Sequence, residues 1–248
     1  MSETVTTAVQ AYGNNPAFKD AFLAEIGKHE EADALLKGTY GEFDPTFKGC
    51  AIGCSVRSLH SLQGTLTNGV SFNNHAKVAA DLGWPLWLAY LEDNLFERLP
   101  DELSKTWPRR LAEAVPVGAV IDDAALAKIL VWSLTAEKFG VIHATDNVEA
   151  KAWIATIAEF ITADGAGLAT AEQREAAAWA ARAAWAAWDA RAAWAAWDAR
   201  AAWAARDAWA ARDAWAARDA WAAETRDAFY PALSEHVLAV LRELPSVR

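Results

Sequence analysis

Apolar residues recur at helical spacing through the first two-thirds of the chain, in short runs punctuated by Gly, Pro and Asn. Phe18, Phe22, Leu23, Ile26, Leu35 and Leu36 follow Asn15-Pro16, an N-cap with proline at the first helical position, and Gly38 stops the run. A helix is therefore predicted over 16–37. Residues 38–74 are rich in Gly, Asn, Ser and Thr and show little periodicity apart from a short helix around Cys50–Leu62. Such irregular stretches are where sites tend to lie. Asn73 or Asn74 can cap a short helix that stops at Gly83, and Trp84-Pro85 opens another carrying Leu86, Leu88, Leu91, Leu95 and Phe96. Asp101 starts the next, interrupted by Pro108. Asp122 or Asp123 caps a helix with Leu126, Ile129, Leu130 and Trp132, and Trp153, Ile154, Ile157, Phe160 and Ile161 line a further one before Asp164-Gly165. Alternation of the β type is confined to Gly140–His143. The expected fold class is all-α, with a compact helical domain over 1–168.

Thr170 with Gln173 forms a capping box, the start signal of a new helix. From Ala178 to Glu224 the pattern becomes a strict triplet: Ala, then Trp or Arg, then Ala or Asp. Trp179, Arg182, Trp185, Trp188, Arg191, Trp194, Trp197, Arg200, Trp203, Arg206, Trp209, Arg212, Trp215, Arg218 and Trp221 share one residue class modulo three. One very long helix is predicted over 169–228. Tyr230-Pro231 then breaks the run, and Pro231 opens a terminal helix, within 229–248, with Leu233, Val237, Val240 and Leu241 on one side.

Alanine favours helix and Trp and Arg tolerate it, so the open question is which helix. In an α-helix a step of three turns the chain by about 300°, so the Trp/Arg row winds round every side. A 3₁₀-helix would align the row as a straight stripe beside an Ala face, against the poorer hydrogen bonds that keep such helices short. Coiled-coil under-winding, to about 3.5 residues per turn, does not reach a period of three. Either helix places Trp–Arg–Trp neighbours such as Trp203, Arg206 and Trp209 in cation–π reach, whereas no Arg–Asp pair in the hexads falls three or four apart.

Nine of the fourteen Trp residues lie in the repeat, and leaving them in water would exceed the apolar patches that soluble monomers tolerate. Copies of the same chain are the simplest cover, which makes Trp179, Trp185, Trp188, Trp194, Trp197, Trp203, Trp209, Trp215 and Trp221, with Arg206, Arg212 and Arg218, the expected homo-oligomer interface. The bland alternative is a solvated Ala-rich helix that arose by slippage of a short coding unit. A membrane-surface role needs separate polar and apolar faces, which the α spiral does not provide. Stacking of a planar aromatic ligand on the Trp rows stays open.

Composition narrows the partners. The chain has 248 residues, 54% of them hydrophobic, enough for a real core. Its net charge of −10 belongs almost wholly to residues 1–170, because the charges of the repeat nearly balance, so nucleic acid is disfavoured. No basic start leads into an apolar run and no uncharged apolar segment reaches the roughly 20 residues of a span, so a cytoplasmic protein is expected.

In that reducing setting Cys50 and Cys54 are thiols or metal ligands rather than a disulfide. With His60 and His75 they read C-x₃-C-x₅-H-x₁₄-H, a departure from the usual zinc spacings that leaves a structural zinc as one expectation and two buried thiols with surface histidines as the other. A Cys nucleophile paired with His lacks an identifiable third residue. His29-Glu30-Glu31 and Glu92-Asp93 could hold a divalent cation or serve as solvated helix faces. Phosphate-cradling loops, nucleophile elbows and dinucleotide fingerprints are absent, so the expectation leans toward assembly rather than catalysis.

Gly49-Cys50-Ala51-Ile52-Gly53-Cys54, Leu82-Gly83-Trp84-Pro85, Leu91-Glu92-Asp93-Asn94-Leu95-Phe96-Glu97, Trp107-Pro108-Arg109-Arg110 and Ala114-Val115-Pro116-Val117-Gly118 resemble a family of uncharacterised proteins encoded by phages and bacteria. The likeness covers about residues 10–165. Similar members end in Ala-rich segments punctuated by Tyr or Trp. The resemblance implies an accessory role in a phage or mobile-element setting and no particular activity. Members usually carry a His three residues after the second cysteine and another shortly after; here Arg57 takes the first place and an insertion separates His60 from His75.

Overall fold

The computed structural model describes residues 9–43, 46–144, 146–186 and 223–246, which are mostly helical, as expected of an all-α chain. By internal contacts the chain divides into two units: residues 1–97, 101–121 and 241–248, and residues 98–100 and 122–240. Residues 1–168, expected as one domain, are shared between them.

In the first unit, α1 spans Pro16–Glu31, with the Asn15 side chain accepting from the Phe18 N–H as its cap. It stops short of residue 37: Asp33 takes a positive φ of 49°, and Leu35 beyond it forms an isolated parallel bridge with Gly49. Leu36 N–H then donates to the Gly49 carbonyl and Gly49 N–H to that of Ala34. The irregular stretch contains a two-stranded antiparallel ribbon, β1 (Glu42–Phe43) with β2 (Phe47–Lys48), too short for alternation to announce. Next come α2 (Ala51–Leu62), with Cys50 in the N-cap position, and α3 (His75–Leu82), capped by the Asn74 side chain on the Lys77 N–H. Gly83 ends α3 at φ 65°, and any Cβ there would lie 2.1 Å from the Gln10 carbonyl oxygen. α4 (Leu86–Arg98) begins after Pro85, and α5 (Asp101–Ser104) and α6 (Trp107–Ala114) are separate helices, Pro108 belonging to the first turn of the second.

The core of this unit gathers Phe22, Ile26, Ile52, Leu59, Leu82, Leu88, Phe96 and Trp107. Ahead of α1, Tyr12, Gly13 and Asn14 make a left-handed turn with φ of 58°, 58° and 54°. Two non-glycine residues in that region store strain, which the surroundings must outweigh. Tyr12 Oη donates to the Ala112 carbonyl at 2.6 Å, Ala11 N–H donates to Ala119 O, and Gly118 N–H donates to Ala11 O.

In the second unit, α7 (Asp123–Thr135) is capped by Asp122, and α8 (Val148–Gly165) by Asn147. The segment Val141–Ala144 is a 3₁₀ turn, not the extended run that Gly140–His143 suggested: its backbone bonds are local, Gly140 N–H donating to Ala136 O and His143 N–H to Gly140 O. α8 packs on both α7 and α9 (Ala171–Ala186), and at Gly165 a Cβ would meet that of Ala127 at 2.4 Å. The capping box is present in both directions: Thr170 N–H donates to Gln173 Oε1 and Gln173 N–H to Thr170 Oγ1.

α10 (Ala223–Arg242) carries Pro231 inside it instead of starting there. Proline removes one intrahelical hydrogen bond, and burial of Phe229, Tyr230, Leu233, Val237 and Leu238 on either side offsets that loss. Residues Ala178–Ala186, the first part of the triplet repeat, are α-helical. Its remainder, 187–222, and with it the very long helix and the choice between α and 3₁₀, lies outside the described residues. No helix among the described residues is long and apolar enough to cross a membrane.

Candidate functional site

The glycines of the Gly49-Cys50-Ala51-Ile52-Gly53-Cys54 segment exist to receive a backbone. A Cβ at Gly53 would lie 1.5 Å from the Tyr40 carbonyl oxygen, and one at Gly49 would lie 2.6 Å from the same atom. Tyr40 is thereby laid across the start of α2, and its ring meets the His75 imidazole edge-on at 5.9 Å. Its hydroxyl points to Asp93 Oδ2 at 3.5 Å. Cys50, at the head of α2, donates its N–H to Thr39 O at 2.7 Å.

His75, the first residue of α3, is clamped from the other side by Tyr90, stacked at 4.2 Å and 16°. Its Nε2 lies 3.0 Å from Asp93 Oδ2; a carboxylate only accepts, so Nε2 carries the hydrogen. Asp93 Oδ1 is buried and no N–H or O–H reaches it; the Cys50 thiol is the hydrogen-bonding neighbour of this carboxylate on that side. One turn along α4, both Glu97 oxygens accept from the Gly38 N–H at 3.1 Å. The Cys50 Sγ and single carboxylate oxygens of Asp93 and Glu97 all lie within 4.8 Å of one another. The group grades from a buried thiol to an exposed carboxylate.

Burial, and next the Asp93 carboxylate, push the Cys50 thiol far above its ordinary range. Burial raises Cys54 to about 12. Behind the cluster Glu92 is fully buried, and burial raises its carboxyl to about 8, opposed by its hydrogen bond to Ser55 Oγ at 3.0 Å and assisted by Asp93. Trp107 Nε1 donates to the Glu92 carbonyl, tying α6 to α4. Neutral thiols are poor nucleophiles, so neither cysteine is poised for attack at neutral pH.

Of the four residues considered as metal ligands from sequence, Cys50 and His75 meet through Asp93. Cys54 lies one turn further along α2 with its sulfur facing the carbonyls of Gly49 and Ala34, at 3.5 and 3.9 Å. His60 sits at the other end of α2, where Nδ1 is 2.7 Å from Thr65 Oγ1. Asp93 had a signal in the Glu92-Asp93 pair; Glu97 closed the Leu91–Glu97 segment of the family resemblance but had no ligand reading beyond its place four residues after Asp93 on one helix face. His29, noted with Glu30 and Glu31, is buried with its ring 5.7 Å from that of Phe47, and burial, then the Arg57 charge, lower its pKa to about 4.

On α9, Ala177 and Ala180 are buried and Ala181 packs with Ala150 and Trp153, whereas Trp179 is 59% exposed. The other expected interface side chains, from Trp185 to Trp221, lie outside the described residues. No protein-family model, curated protein or solved structure matches the chain.

Proposed function

We propose that this is a self-assembling accessory protein whose triplet repeat joins copies of the chain. The observation that carries the reading is Trp179: the first tryptophan of the row faces outward, 59% exposed, while small alanines of the same helix take up its packing against α8. Eight further Trp residues follow at multiples of three, and a row of that size is stable in water only when covered. Tryptophans buried at the centre of an interface dominate its energetics, which makes the row the binding element. The resemblance to phage and bacterial proteins with similar tails supports the accessory role.

Native mass spectrometry of the full chain tests this. A defined multimer that falls to monomer on combining Trp203→Ala, Trp209→Ala and Trp215→Ala is expected. A triple variant that keeps its native mass overturns the reading. A binder of planar aromatics would instead keep its mass and show tryptophan fluorescence quenched by added aromatic compounds. Thiol catalysis has the least support, because both sulfurs are buried and held protonated.

A further inference from the structure

The geometry points to a binding site for one divalent transition ion, of zinc or cobalt type, formed by Cys50 Sγ, a carboxylate oxygen of Asp93 and a carboxylate oxygen of Glu97, with His75 holding Asp93 in place from behind. The donor set mixes a soft thiolate with two hard carboxylates, which suits a borderline ion better than calcium or magnesium, whose ligands are all oxygen.

Distances allow it. An ion about 2.3 Å from sulfur and about 2.0–2.2 Å from each oxygen, in tetrahedral geometry, sets its donors about 3.6 Å apart. The three donor atoms already lie within 4.8 Å of one another, and Glu97, the exposed one of the three, has the longest side chain with which to adjust. Asp93 brings a buried oxygen, Oδ1, that no N–H or O–H reaches, while Oδ2 is engaged by His75 and Tyr40 and the Cys50 thiol is the remaining hydrogen-bonding neighbour of the carboxylate. A thiol is only a weak donor, so a buried carboxylate oxygen with no better partner stays poorly satisfied until something more electropositive reaches it. The His75–Asp93 pair has the form of a carboxylate–histidine outer shell with the usual order reversed, the carboxylate binding and the imidazole orienting. On binding, the Cys50 S–H bond breaks, a sulfur–metal bond forms and the proton passes to solvent; no oxidant or reductant is involved. The ligand set differs from the one that cysteine and histidine spacing suggested, since Cys54 and His60 take no part.

The test is titration of the reduced, metal-free full chain with cobalt(II) alone, followed by absorption, with far-ultraviolet circular dichroism to verify folding. One equivalent is expected to raise a thiolate-to-cobalt charge-transfer band that Cys50→Ser abolishes and Cys54→Ser keeps. Should Cys50→Ser not fold, Glu97→Gln decides, because its side chain is exposed; it is expected to weaken binding at least tenfold. His75→Gln should weaken it by about tenfold to a hundredfold through misorientation of Asp93. Absence of the band in the wild-type chain, its persistence in Cys50→Ser, or unchanged affinity in Glu97→Gln overturns the proposal.

Discussion

The carbonyl oxygen of Tyr40 occupies the space that a side chain at Gly53 would fill, 1.5 Å from the position of a Cβ. Backbone cannot move aside as the tip of a flexible side chain can. Gly53→Ala should therefore cost at least the ~3 kcal/mol upper end of ordinary overpacking and drag Tyr40 away from His75. Gly27, inside α1 with nothing within 4 Å of its would-be Cβ, is the control. Gly27→Ala should stabilise by about 0.5–1 kcal/mol. Urea midpoints of the two variants should move in opposite directions.

Two buried groups tilt stability in opposite senses with pH. Glu92 has a native pKa of about 8 against an ordinary 4.5, so the native state holds a proton that the unfolded chain has lost, and stability falls as pH rises between those values. His29 has a native pKa of about 4 against 6.5, so stability falls as pH drops through that window. Each slope approaches ~1.4 kcal/mol per pH unit. Their contributions cancel between about 4.5 and 6.5, and Glu92 alone acts from there to about 8. Urea unfolding across pH 5–8 should reveal the decline on the alkaline side, and Glu92→Gln should flatten it.

Tyr12→Phe removes the donor from the Ala112 carbonyl while keeping the ring against Trp84, 6.2 Å away and nearly perpendicular. Loss of a buried partner should cost about 1–3 kcal/mol. A variant as stable as the wild type in thermal unfolding would mean that the left-handed turn holds without this bond.

Thr170→Ala deletes half of the capping box that starts α9. A cost of about 1 kcal/mol is expected, seen as roughly fivefold faster amide exchange confined to the first turn of α9.

Local signals were the legible ones. Asn15, Asn74, Asp122 and the Thr170–Gln173 pair each cap a helix with a hydrogen bond to a backbone N–H within three residues, so the partners are adjacent in sequence. The end of α1 was not legible, because it depends on Gly49 pairing with Ala34 and Leu36. Nor was the continuity of α10 through Pro231, which rests on tertiary burial overriding a local breaker. At the candidate site, Cys50 and His75 could be named as metal-ligand types, but Asp93 and Glu97 come from another helix, and no spacing rule links residue 50 to residue 97. The two glycines that seat Tyr40 carried no structural reading of their own in the sequence, because the carbonyl they accommodate lies on a segment nine or more residues earlier.

The backbone hydrogen bonds around Ala11 and Ala119 extend to a third segment, since Ala119 also forms an antiparallel bridge with Ser246. A ribosome makes these three pieces in order, and the entire triplet repeat is synthesised between the second and the third. During translation the first unit therefore waits for the segment that holds Ser246. The last backbone pairing of the first unit becomes available only after the whole repeat has been made, which places its completion late in synthesis.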